Sequence, residues 1–265
     1  MTESQAEALA DEVLAAFKQT TFPVDLDRIA SEEGIKLIEG DFGEDFHGRI
    51  EYLPEVETFV IYHPSTMNSP YPQRVRFSIG HELGHYYIPT HRELLIKGMA
   101  HYSLEGFKHK NVIERQADVF AAALLIPSRV LRARMGRRGF LSLPQILALA
   151  DDCRTSAQST VFRYSRFTKE PHLSFVSEAG KVLFSFPSDE ARAIGCGYLR
   201  NQDVPDGSPT HRAATTPGIQ ESKIDSQMWF PDRGASMNLW EEAIRLGSTN
   251  RVLTLLSWVN CSPGG

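Results

Sequence analysis

One pentapeptide of this 265-residue chain, His81-Glu82-Leu83-Gly84-His85, has residue types and spacing that point directly to a reaction. Residues four apart lie on one face of a helix, one turn above the other. Two imidazoles so placed can share one divalent cation, and Glu82 can reach a water beside it. H-E-x-x-H on a helix is the pattern of zinc-dependent peptide hydrolysis. With nine His in the chain, a chance match arises about 2% of the time. Two idle histidines on a helix surface are therefore the weaker reading.

Such a site needs a third protein ligand and an open position for water. His101 and His109 lack the H-x-x-G-x-x-H spacing that would continue directly from the motif. Glu114 is the better candidate, near the start of a long helical pattern from Asn111 to Leu125 (Val112, Ile113, Ala117, Phe120, Ala121, Leu124). Asp118, one turn on, shares the face of Glu114 and can accept the second ring N–H of a metal-binding histidine. Tyr86, His91, His101 and Tyr102 are candidates for steadying a developing oxyanion.

The elements that must position these groups follow from periodicity. Residues 3–18 form an amphipathic pattern, and a second short helix begins at Asp25 and ends near Gly34. Ile35–Ile38, Gly48–Tyr52 and Thr58–Tyr62 read as strands, the last two joined as a hairpin through Pro54–Glu57. Either hairpin strand could take up an extended substrate by strand addition. Asn68-Ser69-Pro70 signals the start of the motif helix and Pro89 its end, with a polar, loop-containing stretch over 90–110. Gly80 and Gly84 are poor helix formers, each costing up to about 1 kcal/mol against Ala. They fit a helix whose backbone is closely approached, beside a metal or at a tight crossing.

Composition narrows the classes. Hydrophobic residues make up 42% of the chain and the net charge is −5, so no global case for nucleic-acid binding exists. The acidic start MTESQAEALADEVLAAF lacks the features of a signal peptide, and no apolar run approaches the roughly 20 residues of a membrane span. Cys153, Cys196 and Cys261 form no C-x-x-C pair, and a reducing cytoplasm is the expected compartment. Charge is uneven: residues 1–70 carry 15 acidic and four basic side chains, residues 128–169 nine basic and two acidic.

Three blocks, in order, resemble the ImmA/IrrE family of metallopeptidases. They are Phe22-Pro23-Val24-Asp25-Leu26 through Gly34-Ile35, then Arg76 to His85, then Glu114 to Pro127. The resemblance spans about residues 10–130. It implies His81, His85 and Glu114 as metal ligands, Glu82 as the catalytic carboxylate, and Zn²⁺ as cofactor, with Mn²⁺ or Fe²⁺ compatible with the same donors. Asp118 stands where many members have Asn. The implied reaction is peptide hydrolysis, with Glu82 taking a proton from water and later delivering it to the leaving amine.

Residues 142–167 form a helix pair of helix–turn–helix spacing, with Ser142 and Pro144 at its start and a turn at Asp152-Cys153-Arg154. Its second helix carries Arg163 and Arg166, with Arg129, Arg132, Arg134, Arg137 and Arg138 upstream. These offer a DNA contact, against the plainer reading of a supporting helical hairpin with a solvated basic face. After Pro171 the composition shifts. Leu173–Val176, Val182–Phe186, Gln227–Phe230 and Arg251–Leu256 read as strands, and Asn201–Ser222 is turn-rich.

The expected architecture is α+β. A zincin-like metallopeptidase domain covers 1–127, a basic helix–turn–helix-like module 128–170, and a mixed α/β, GAF-like sensor domain with room for a small ligand 171–265. The resemblance implies cleavage of a helix–turn–helix transcriptional repressor, derepressing stress-response or defence genes. The alternative is a DNA-binding regulator whose metal site is structural or vestigial.

Overall fold

The computed structural model describes residues 1–43, 47–65, 69, 71–98, 110–231, 236–247 and 249–258. Asn68, Pro70, His101, Tyr102, His109 and Cys261 lie outside them. The fold is mixed α and β and divides into two compact units, Met1–Ser128 with Ala150–Ser156, and Arg129–Leu149 with Ala157 onward.

In the first unit, helix α1 (Glu3–Ala16) is closed at its start by a capping box between Thr2 and Gln5. It buries Ala6, Ala10, Val13 and Leu14. Helix α2 (Leu26–Glu32) is capped by Asp25, and Gly34, at φ +71°, terminates it in the left-handed conformation that glycine adopts most readily. Strands β1 (Lys36–Gly40), β2 (Arg49–Leu53) and β3 (Thr58–Pro64) form a sheet of order β1-β3-β2, β3 running parallel to β1 and antiparallel to β2. Because β3 is paired on both sides, of the two hairpin strands only β2 is an edge. This removes Thr58–Tyr62 as a docking strand for substrate.

Helix α3 (Pro72–Tyr87) carries the motif, and Pro89 both stops it and opens α4 (Pro89–Ile96). The first part of the polar, loop-containing stretch is thus helical, anchored by the buried His91 and Leu95. Helix α5 (Lys110–Leu125) packs against α3 and α1. The crossing with α3 is close. A Cβ at Gly84 would lie 3.2 Å from both the Cα and the carbonyl oxygen of Ala117, and one at Gly80 3.5 Å from the Ala121 Cβ. Gly84 therefore sits where another backbone needs the room, while Gly80 leaves ordinary contact distance; this close crossing brings Glu114 beside the histidines.

The second unit holds α6 (Ser128–Met135) beyond its first residue, the first part of α7 (Leu143–Cys153), and α8 (Ala157–Phe167). Its antiparallel sheet has order β5-β4-β8-β7-β6, built from β4 (His172–Glu178), β5 (Lys181–Pro187), β6 (Gln220–Asp225), β7 (Asn238–Arg245) and β8 (Arg251–Trp258). Helices α9 (Asp189–Ala193) and α10 (Pro209–Ala213) complete it. One apolar cluster joins Leu173, Phe175, Ala191, Leu239 and Leu256 to Trp229. The expected strand Gln227–Phe230 is instead a 3-10 turn, Ser226–Met228, followed by the buried Trp229. Asp225 accepts from the Gln227 N–H and so starts that turn.

Candidate metal centre

Helical spacing puts Ser78, His81, Glu82 and His85 on one stripe of α3. Nε2 of His81 and Nε2 of His85 lie 3.0 Å apart. Oε2 of Glu114, from α5, is 3.3 Å from the first and 4.0 Å from the second. All three donor atoms fall within 4.8 Å of one another. Two imidazoles and a carboxylate are the donor chemistry of an open zinc site, and a single ion about 2.0 to 2.2 Å from each ligand atom requires such a spread. The residues present fit a divalent cation.

Electrostatics agree. Burial lowers the proton affinity of His81, but hydrogen bonds to Asp118 and Glu114 and the charge of Glu82 outweigh it and push its pKa up to about 10. The pocket around His81 thus favours positive charge. Asp118 accepts from Nδ1 of His81 at 2.9 Å, which leaves Nε2 to point at the shared centre.

Glu82 is 4% exposed, and its Oε2 accepts the N–H of Ile50 on β2 at 3.1 Å. Gly48 gives the carboxylate room: a Cβ there would lie 3.4 Å from Oε1 of Glu82 and 3.3 Å from Cβ of Ser78. The edge strand and the motif helix are therefore tied through this one side chain. Beyond Ser78 the stripe runs into a cleft of about 740 Å³, lined among others by Phe42, His47, Tyr71 and Arg74.

The other candidates separate. Tyr86 turns away, donating to Glu33 at 2.8 Å under the guanidinium of Arg92. His91 is buried beside His85 and meets Gln116. Arg163 is only 1% exposed, with its guanidinium over Phe167, so it is withdrawn from the expected basic face. Arg129, Arg132, Arg134, Arg137 and Arg166 remain exposed. Sequence reasoning missed Gly48, Ile50, Ser78 and Gln116. The signal for Gln116 was its place two residues after Glu114; that for Gly48, a glycine opening a strand.

An α+β protein with two imidazoles and a carboxylate converging on one point belongs to the class of proteins built to hold a divalent metal. The comparisons narrow this. Residues 30–165 match the family model of peptidase M78, the IrrE N-terminal-like domain, and the chain belongs to that metallopeptidase family. It is 32% identical over 110 residues to the radiation response metalloprotease IrrE of Deinococcus radiodurans. That match covers 42% of this chain and 33% of the relative, so the likeness spans about a third of the relative's length. A Mycobacterium tuberculosis transcriptional regulator shares the fold, with a TM-score of 0.61 at 15% identity over 97% of this chain and 77% of that one. Among the described residues no helix is long and apolar enough to cross a membrane.

Proposed function

We propose that the chain is a zinc-dependent endopeptidase in which His81, His85 and Glu114 hold the ion and Glu82 moves the proton. The observation that carries this is the convergence of the three donor atoms within 4.8 Å, with Glu82 buried on the same helix stripe. A divalent ion held there supplies Lewis-acid polarisation of a carbonyl and makes water easier to deprotonate. Glu82, fixed by the Ile50 N–H, takes that proton and returns it to the leaving amine nitrogen. Asp118 holds the ring of His81 in the tautomer that the site needs. The β2 edge offers an extended peptide a strand partner, and the cleft beyond Ser78 offers space for side chains.

In this reading residues 1–127 form the zincin-like peptidase, 128–170 a basic helix–turn–helix-like module and 171–265 a GAF-like sensor with a small-molecule ligand. The substrate is a helix–turn–helix transcriptional repressor, cut in the cytoplasm to release stress-response or defence genes. Support for the stress-response role is the likeness to a radiation response metalloprotease; the repressor is what the family resemblance implies. The test is cleavage of a purified helix–turn–helix repressor by metal-depleted and Zn²⁺-restored protein. Cleavage that returns with Zn²⁺, or with Mn²⁺ in its place, supports the reading; equal cleavage without metal rejects it.

A second reading, regulation by direct DNA binding, draws on the exposed arginines 129, 132, 134, 137 and 166. It predicts binding that weakens steeply with salt and is lost on charge reversal of Arg132 and Arg166, with the metal site intact.

A further inference from the structure

His85 has a neighbour outside the ligand set. The ring of His91, on α4, packs against it with centroids 5.0 Å apart and planes tilted by 40°. Both side chains are almost fully buried, at 2% and 3% exposed. His91 is itself held. Its Nε2 lies 2.9 Å from Oε1 of Gln116, a buried residue of α5. The other end of that amide donates to the carbonyl of Met1, which fixes which end is oxygen. An amide oxygen only accepts, so Nε2 of His91 carries the hydrogen. Three elements thus meet: α3 brings the ligand, α4 the ring against it, and α5 the amide that orients that ring, two residues from Glu114.

We infer that His91 is a positioning residue for the metal ligand His85, set in turn by Gln116. The inference rests on the reading of His81, His85 and Glu114 as the metal centre. An imidazole ligand turns about two side-chain torsions, and every orientation that misaims its nitrogen competes with binding. A flat ring packed on His85 removes those orientations before the ion arrives. Sequence spacing alone hides this, because Pro89 separates His91 from the motif helix.

The test uses Co²⁺ as probe on the full chain, reading affinity by competition titration and geometry from the visible absorption of the bound ion. His91→Ala should weaken Co²⁺ by about tenfold, the scale seen when a ligand loses its supporting neighbour, and change the spectrum. His91→Phe, which keeps a flat ring, should restore most of the affinity; His91→Asn, which keeps a donor for Gln116 without a ring, should not. Gln116→Leu serves if His91→Ala fails to fold, and should shift affinity in the same direction. Wild-type affinity and spectrum in a folded His91→Ala or Gln116→Leu protein would overturn the inference. So would rescue by Asn and not by Phe. Failure of the wild type to bind Co²⁺, or unaltered binding by His85→Ala, would instead overturn the metal-centre reading, and this inference with it.

Discussion

Two little-exposed histidines, one in each unit, are driven in opposite directions. His81 is pushed up to about 10, despite burial, by hydrogen bonds to Asp118 and Glu114 and by the charge of Glu82. His172 is pushed down to about 3 by burial alone, with the edge of Tyr164 for company. Burial is common to both; the acids around the ring make the difference. Two carboxylates differ in the same way. Glu241 has its oxygens facing donors, with the N–H and hydroxyl of Thr210 at 2.8 and 2.6 Å and the indole N–H of Trp229 at 2.8 Å. Oε2 of Glu114 instead faces the ring nitrogens of His81 and His85, at 3.3 and 4.0 Å, and its hydrogen bond to His81 is one of the causes that raise that ring's pKa. A buried polar group met by donors is structural. Two ring nitrogens and a carboxylate oxygen crowded onto one point favour positive charge there.

The comparison can be broken most severely at Glu114. Glu114→Ala should weaken Zn²⁺ binding by more than about 100-fold, since loss of a ligand's supporting neighbour alone costs about 10- to 100-fold. Isothermal titration of the metal-free protein measures it. Asp118→Ala should fall within that lower range, because it only orients His81. Glu241→Ala should do the converse, leaving Zn²⁺ affinity unchanged and destabilising the fold by about 2 to 4 kcal/mol, as three buried donors lose their acceptor. Urea unfolding reads that loss.

The glycine pair sharpens the packing side. In an open helix Gly→Ala stabilises by about 1 kcal/mol. At Gly84 the 3.2 Å approach of the Ala117 backbone should reverse the sign, to a net loss of about 1 to 3 kcal/mol, with weaker metal binding as Glu114 is pushed off. Gly80→Ala, with ordinary 3.5 Å contact, should be neutral or slightly stabilising. Thermal midpoints provide the check, lowered in Gly84→Ala and unchanged or slightly raised in Gly80→Ala.

At neutral pH the smallest effect belongs to His172, whose contribution emerges only on acidification. Its folded pKa of about 3 lies below the ordinary 6.5, so between these values the unfolded chain binds the extra proton. Stability should therefore fall as pH drops from 6.5 towards 3, and His172→Phe should flatten that slope without touching metal affinity. A series of unfolding midpoints against pH would show it.

Much of the first unit was legible because its signals are local. Helix spacing gave His81 and His85 a common face, Asp25 and Gly34 bracketed α2, and β2 and β3 are runs of strand-forming residues on either side of Pro54–Glu57. Glu114 needed more, since its partner lies 33 positions away and only the crossing at Gly80 and Gly84 brings it near. The second unit was harder. Strand β7, Asn238–Arg245, carries Glu241 and Glu242 at buried positions, which breaks the apolar alternation that marks a strand. Strand β6 has only Ile224 buried and reads as a turn-rich stretch. Arg163 misled because a charged residue on a basic helix is ordinarily exposed, whereas this side chain is buried with its guanidinium over Phe167.

The central claim is that Glu82 moves the proton at a metal held by its neighbours. Glu82→Gln keeps the shape and removes the base. Metal content and repressor cleavage measured on the same preparations should show about one Zn²⁺ per chain in both proteins. Cleavage should be about 100- to 10,000-fold slower in the variant. A Glu82→Gln protein that retains its metal and cuts at the wild-type rate would contradict the account.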